Sequence, residues 1–332
     1  MNTYEKEKIK INDSNLTSIT EELTQEQWML ILWSFVTDLP IKEWNEFAYD
    51  LIYKNRFSSS HKIVDVVKEF SGRCTSVIEK GKKLFRARIY YQDPLQEFLS
   101  DVFEDAMLEK SFGNNESIND YYGMQLAAMV MEVEKETSRG RKIVDVYNKW
   151  KRKRFKGYNS AGSGVPPIDK VTSGRFNPER IRYFYLAEDS QTAVYEVRPT
   201  IGQYVSVATF KTEKDLKIYD FAEEINTREE KDRDGDYSLL NVVQQRFSEP
   251  NTGDALMYLP IQYLGEMIKQ MGFDGIRFRS SLKSGGVNIV LFDDNSCKAI
   301  CSDIIKVGDI ELKFDNPEIY QLEEYICLDK KS

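Results

Sequence analysis

Through the first eighty residues the hydrophobic positions recur with a helical period. Thr24 and Gln27 have capping-box spacing and open a helix carrying Trp28, Ile31 and Phe35. Trp44, Phe47, Ala48, Leu51 and Ile52 fill the i, i+3, i+4, i+7, i+8 template, and Ile63, Val66, Val67 and Phe70 repeat it. Three amphipathic helices without a strand pattern predict an all-helical domain over residues 1–80, closed by Ser71-Gly72-Arg73. Residues 84–91 change character, being apolar, aromatic and basic, and fit a strand or an extended segment. Asp93 then reads as an N-cap, with Pro94 in the first turn where its missing N–H costs nothing. The helix it opens places Leu95, Phe98, Leu99, Val102 and Phe103 on one face, and a second long helical pattern runs over residues 120–150.

Gly157 to Pro167 is the clearest loop signal, flexible at its glycines and stiff at its prolines. Beyond it the pattern turns to α/β. Residues 183–187 read as a strand, and Asp189 caps a short helix carrying Ala193, Val194 and Val197. Residues 204–210 form a strand pattern, 213–236 are charge-rich and expected to face solvent, and 254–272 read as helical. Two short strands follow at 275–279 and 287–292. No internal repeat or low-complexity tract is present.

A length of 332 residues is a soft prior for two domains, and 41% hydrophobic with 30% charged residues allows a real core under a well-solvated surface. Lys plus Arg total 46 against 54 Asp plus Glu, a formal charge of −8, which argues against a global attraction to nucleic acid. The N-terminal residues lack an apolar h-region, and no stretch has the apolar length needed to cross a bilayer. Cys74, Cys297, Cys301 and Cys327 have no metal-ligand spacing, and His61 is the single histidine. They read as reduced thiols of a cytoplasmic protein with no metal site and no membrane association.

The candidate chemistry lies in four separated stretches. Arg86 sits in Leu84-Phe85-Arg86-Ala87-Arg88, and Gly174-Arg175-Phe176-Asn177-Pro178 forms a second motif. An aromatic strand with Tyr185 leads into a helix ending at Glu196, and Gly275-Ile276-Arg277-Phe278-Arg279-Ser280 closes the set. Together these resemble the RES family, named for its Arg, Glu and Ser. The resemblance implies cleavage of NAD⁺ as substrate, with no cofactor, on an ADP-ribosyltransferase-like α+β fold: a small, mostly antiparallel split sheet flanked by helices. Breaking the nicotinamide–ribose bond builds positive charge on the ribose, as in glycoside hydrolysis. A fixed carboxylate stabilises that charge, and arginine forks match pyrophosphate oxygens. Carried over, Arg86 and Arg175 would hold phosphates, Tyr185 would position the ring, Glu196 would serve the ribose and Ser280 would complete the pocket. Asn177 belongs to the second motif, and Asn288 after Gly285-Gly286-Val287 matches more loosely.

The resemblance covers residues 81–92 and 165–315. Residues 92–160 form a long helical insertion within a domain spanning 81–332, where compact family members run almost directly from one motif to the next. Such proteins act as toxins that deplete NAD⁺, so an antitoxin or regulatory protein and a homo-oligomer are the protein partners to consider. Two alternatives stand beside this reading. One keeps the pocket but passes ADP-ribose to a protein or nucleic acid. The other uses Arg56 and His61, which match the R-x₄-H signature of HEPN ribonucleases inside a helical N-terminal domain resembling theirs. The basic runs Arg139–Lys142 and Lys149–Lys156, interleaved with aromatics, could bind RNA or an acidic partner, although solvated helix ends account for most such runs.

Overall fold

The computed structural model describes residues 25–57, 60–106, 127–223, 236–249 and 255–310. In chain order the first elements are α1 (Gln25–Tyr53), α2 (Lys62–Glu69), β1 (Thr75–Ile78), β2 (Lys83–Tyr90) and α3 (Pro94–Ala106). Then follow a helix whose described residues are 127–134 (α4), α5 (Ser138–Arg152), α6 (Ser160–Ser163), β3 (Phe184–Ala187), α7 (Ser190–Glu196) and β4 (Tyr204–Thr212). The last are β5 (Leu216–Asp220), α8 (Asp236–Ser248), α9 (Leu259–Gln270), β6 (Gly275–Arg279), β7 (Val287–Leu291) and β8 (Cys297–Lys306). The class is α+β with mostly antiparallel strands, as expected from the sequence.

The chain divides into two compact units. The first comprises the residues up to Lys80, Val165–Tyr185 and Lys214–Ser296. Its strands run β1-β5-β6-β7, with β5 and β6 the parallel pair and the others antiparallel. Trp44, Phe47 and Leu51 of α1 and Ile63, Val66 and Val67 of α2 share one buried cluster with Leu240, Val243 and Phe247 of α8 and Leu264 and Ile268 of α9. The Tyr219 hydroxyl donates to the Val67 carbonyl at 2.9 Å inside that core. The second unit comprises Gly81–Gly164, Leu186–Glu213 and the residues from Cys297 on. There β2 pairs antiparallel with both β3 and β4, and β4 pairs antiparallel with β8.

Several elements differ from the periodicity reading. The two helices expected before residue 53 are one helix, which runs through Pro40 although proline removes an internal hydrogen bond; Thr24 lies outside the described residues. The long pattern over 120–150 is broken near Glu136, whose φ is 51°, and residues 120–126 lie outside the described set. The Thr137 hydroxyl accepts from Gly140 N at 2.9 Å and so starts a new helix, α5. A Cβ on Gly140 would sit 2.1 Å from the Glu132 carbonyl oxygen, so only glycine allows this approach of α5 to α4.

The loop over 157–167 is pinned rather than flexible. Gly157 N donates to Ser302 Oγ at 3.1 Å, Tyr158 N to Ser206 Oγ at 3.0 Å, and the Tyr158 hydroxyl to the Ile89 carbonyl at 3.1 Å. Asn159 caps the single turn α6. Residues 216–222, expected to face solvent, are β5 and its exit, with Leu216, Ile218 and Tyr219 fully buried; residues 224–235 lie outside the described set.

Candidate functional site

The second motif is a loop of the first unit whose polar groups satisfy one another. The Tyr185 hydroxyl donates to Asn177 Oδ1 at 2.7 Å and accepts from Phe176 N at 3.1 Å. Asn177, 4% exposed, donates through Nδ2 to the carbonyls of Thr172 and Pro178 at 3.0 and 3.1 Å. From α9 the buried Gln262 side chain donates to Ser173 Oγ and to the carbonyls of Gly174 and Asn177. A Cβ on Gly174 would lie 2.6 Å from Asn177 Oδ1, so the loop closes only around glycine. Phe176 is fully buried, with its ring 4.8 Å from Phe278 and 5.2 Å from Phe247. Burial pushes the Tyr185 phenol well above its ordinary pKa and keeps it a neutral donor.

Arg175 points into the same assembly. Its terminal nitrogens donate to the carbonyl of Phe247 at 2.8 Å and to that of Glu249, at the C-terminal end of α8. There the helix dipole adds to the attraction. The guanidinium also lies over the Phe278 ring, 5.6 Å from its centroid. The residues expected to touch substrate, Arg175, Asn177 and Tyr185, are thus brought together, and these hydrogen bonds build the loop itself.

Ser280 directly follows β6, where its Oγ accepts from Leu282 N and Lys283 N at 3.2 Å, shaping the turn into β7. Asn288 of β7 is buried and stands opposite Phe278, on that residue's face of the strands. Residue alternation on β6 sends Arg277 and Arg279 to the other face. Arg277 Nη1 meets Asp220 Oδ2 at 2.8 Å, with only 4% of the Asp220 side chain exposed. Asp220 Oδ1 accepts from Ala222 N and Glu223 N, and Arg279 Nε donates to the Ala222 carbonyl at 2.8 Å. Neither arginine is among the residues expected from the sequence to bind substrate. Their position one residue either side of Phe278 was the available signal.

In the second unit, Arg86 and Arg88 share the face of β2 that carries Leu84 and Tyr90. Phe85, Ala87 and Ile89, on the opposite face, pack with Ala193, Val194 and Val197 of α7 and its exit. Asp189 caps α7, its Oδ1 accepting from Thr192 N at 2.8 Å, and Glu196 is exposed on the last turn. Arg86 and Glu196 therefore belong to elements in contact. Arg88 donates through Nη2 to the Gly164 carbonyl at 2.5 Å, while its buried Nε has no hydrogen-bond partner among the described residues. Burial lowers the Arg88 pKa, opposed by the nearby Tyr158.

Near the end of α1, His61 Nε2 meets Asp50 Oδ2 at 3.0 Å and its ring stands edge-on to Phe47. Lys54 also pairs with Asp50, at 2.7 Å, and holds its carboxyl below the usual carboxylate range. Arg56 is exposed in the turn beyond α1. The imidazole is directed to an acid rather than to a neighbouring arginine. Among the described residues no group of three or more His, Cys, Asp or Glu is arranged to hold a metal ion, and no helix is long and apolar enough to cross a membrane.

This is an α+β protein with a glycine-closed, internally bonded loop, arginines on two strands and a glutamate ending a short capped helix. A family model described as the RES domain matches residues 148–315, just over half of the chain. The chain belongs to the RES family. Among curated proteins no sequence match was found. Among solved structures, a chain of the Mycobacterium tuberculosis MbcT–MbcA toxin–antitoxin complex is similar at a TM-score of 0.35 and 11% identity. The similarity covers 74% of this chain and 92% of that one. It is too loose to bear on chemistry.

Proposed function

We propose that this protein cleaves the nicotinamide–ribose bond of NAD⁺, with water or phosphate taking the ADP-ribose, and that it acts as a toxin or defence effector by depleting NAD⁺. The observation that carries the reading is the family match, whose span takes in Gly174–Pro178, Tyr185, Glu196, Ser280 and Asn288 in the family's order. Glu196, exposed where α7 ends, is the carboxylate for the ribose as its positive charge grows. Arg86 is the phosphate ligand and Ser280 a hydroxyl for an amide or phosphate oxygen. Arg175, Asn177 and Tyr185 act by fixing the loop, since their polar groups are engaged within the protein. With water as acceptor, the glycosidic C–N bond breaks and a C–O bond forms. Nicotinamide leaves neutral, and the water gives up one proton.

The test is to incubate the purified protein with NAD⁺ and quantify nicotinamide and ADP-ribose by chromatography, with and without phosphate. Nicotinamide release is expected, and Glu196→Gln should reduce it at least 100-fold while the melting temperature stays the same. No nicotinamide release under either condition, or full turnover in Glu196→Gln, refutes the assignment. An antitoxin or regulatory protein is the expected restraint on such an activity.

A further inference from the structure

The helical insertion carries a feature that the reaction does not use. Helices α3, α4 and α5 close a small core of Leu99, Val102, Met129, Ile143 and Val146. Beside it lies a groove of about 280 Å³, lined by Phe98, Val130, Val133, Val144 and Tyr147, with Glu134 the one charged residue of its wall among the described residues. Its apolar rim stands in solvent: Val130 is 50% exposed, Val144 40% and Tyr147 48%. Three apolar side chains at 40–50% exposure around one concavity are more than the scattered surface residues of an ordinary face.

The charge beside the groove is one-sided. Helix α5 carries Arg139, Arg141, Lys142, Lys149, Lys151 and Arg152 against the single acid Asp145, on a chain whose formal charge is −8. Arg141 precedes Val144 by three residues and Lys151 follows Tyr147 by four, so a cation neighbours each of these groove residues on the helix surface. We infer that this groove docks an acidic amphipathic helix of a partner polypeptide. Its apolar stripe would enter between α4 and α5, and its glutamates and aspartates would lie along the basic flank of α5. Helix-in-groove recognition uses this pairing of an apolar channel with flanking complementary charge.

Other occupants fit less well. A second copy of this chain, joined by a two-fold axis, would bring one basic α5 against another. Nucleic acid would leave the aliphatic lining unmatched and set phosphates against Glu134. A bilayer surface would leave a concave groove unfilled. The inference does not depend on the NAD⁺ reading, because its measurement is binding and not turnover.

The test uses the full chain and two fluorescein-labelled synthetic helical peptides with the same leucines at i, i+3, i+4 and i+7, one flanked by glutamates and one by lysines. Anisotropy titrations should show saturable binding of the acidic peptide, at least tenfold tighter than the basic one and weakened by salt. Val144→Asp, at an exposed rim position, should weaken it at least tenfold. The double change Arg141→Glu and Lys151→Glu should reverse the preference. Unchanged melting temperatures and nicotinamide release would show that the fold and the proposed site survive. Equal binding of the two peptides, no binding, or insensitivity to these variants overturns the inference. So does a dimer by light scattering, an RNA oligomer or an anionic phosphatidylserine vesicle that occupies the face in a Val144→Asp-sensitive way while the acidic peptide does not bind.

Discussion

Tyr185→Phe isolates the part of the second motif that holds the loop together. The ring and its packing remain, and only the hydroxyl is lost. Two groups then lose their partner: Asn177 Oδ1, which accepts from it at 2.7 Å, and Phe176 N, which donates to it at 3.1 Å. Asn177 is 4% exposed and Phe176 fully buried, so water has little access to replace the hydroxyl. Leaving a buried polar group unsatisfied costs about 1–3 kcal/mol. With two groups and some local relaxation, the expected loss is about 2–4 kcal/mol, or roughly 5–15 °C in melting temperature for a domain of this size. Urea titration followed by tryptophan fluorescence gives the free energy, and Tyr195→Phe, at an exposed helical position, serves as the control with a change below about 0.5 kcal/mol. If Tyr185→Phe costs no more than that control, the loop is held by something other than this hydrogen-bond pair.

Three further outcomes follow from local chemistry. Thr137→Ala removes the hydroxyl that starts α5 and should cost about 1 kcal/mol, measurable as earlier loss of helical circular dichroism in urea. Burial pushes the Cys74 thiol up to about 11 and that of Cys297 up to about 12, so at pH 8 both should react with Ellman's reagent only as fast as the protein opens, and rapid labelling would contradict their burial. Because these folded values lie above the ordinary 9.0, the neutral thiols contribute their full stability below about pH 9. That contribution is lost as pH rises toward 11–12, so the urea midpoint should fall across that alkaline window.

The sequence revealed elements where one period dominated and missed them where periods were mixed. The strand over 275–279 matches β6 residue for residue, because glycine and serine bound a run with Ile276 and Phe278 on one face. Strand β8 escaped notice because its pairing with β4 slips between Thr209 and Phe210, leaving Ile300 without an opposite residue. Its in–out alternation changes phase at that point, so neither a strand nor a helix template fits throughout. Strand β5 was hidden differently: Lys214, Asp215 and Lys217 make its composition look like a surface loop, while Leu216 and Ile218 alternate into the core. The chemical residues were legible only as a set. Nothing in the chain near Gln262 or Asp220 signals that one ties the glycine loop and the other anchors Arg277, since those contacts join residues 57 to 89 positions apart.

A motif can mark scaffold rather than chemistry, and burial separates Asn177 from Glu196. Both Asn177 amide protons are given to carbonyls, and its oxygen accepts from Tyr185. To bind a substrate as well, it would have to release a buried partner, at the cost already reckoned for an orphaned polar group. Glu196 differs in its setting: it is exposed at the end of a helix fixed by Asp189, so a developing charge can meet it without entry into the core. This predicts opposite signatures in one pair of variants. Glu196→Gln should lose nicotinamide release with the urea midpoint unchanged, whereas Tyr185→Phe should lower the midpoint first and lose release only in proportion to the fraction unfolded. If Tyr185→Phe abolished turnover in fully folded protein, the hydroxyl would belong to the reaction, and the loop would be a binding element rather than its support.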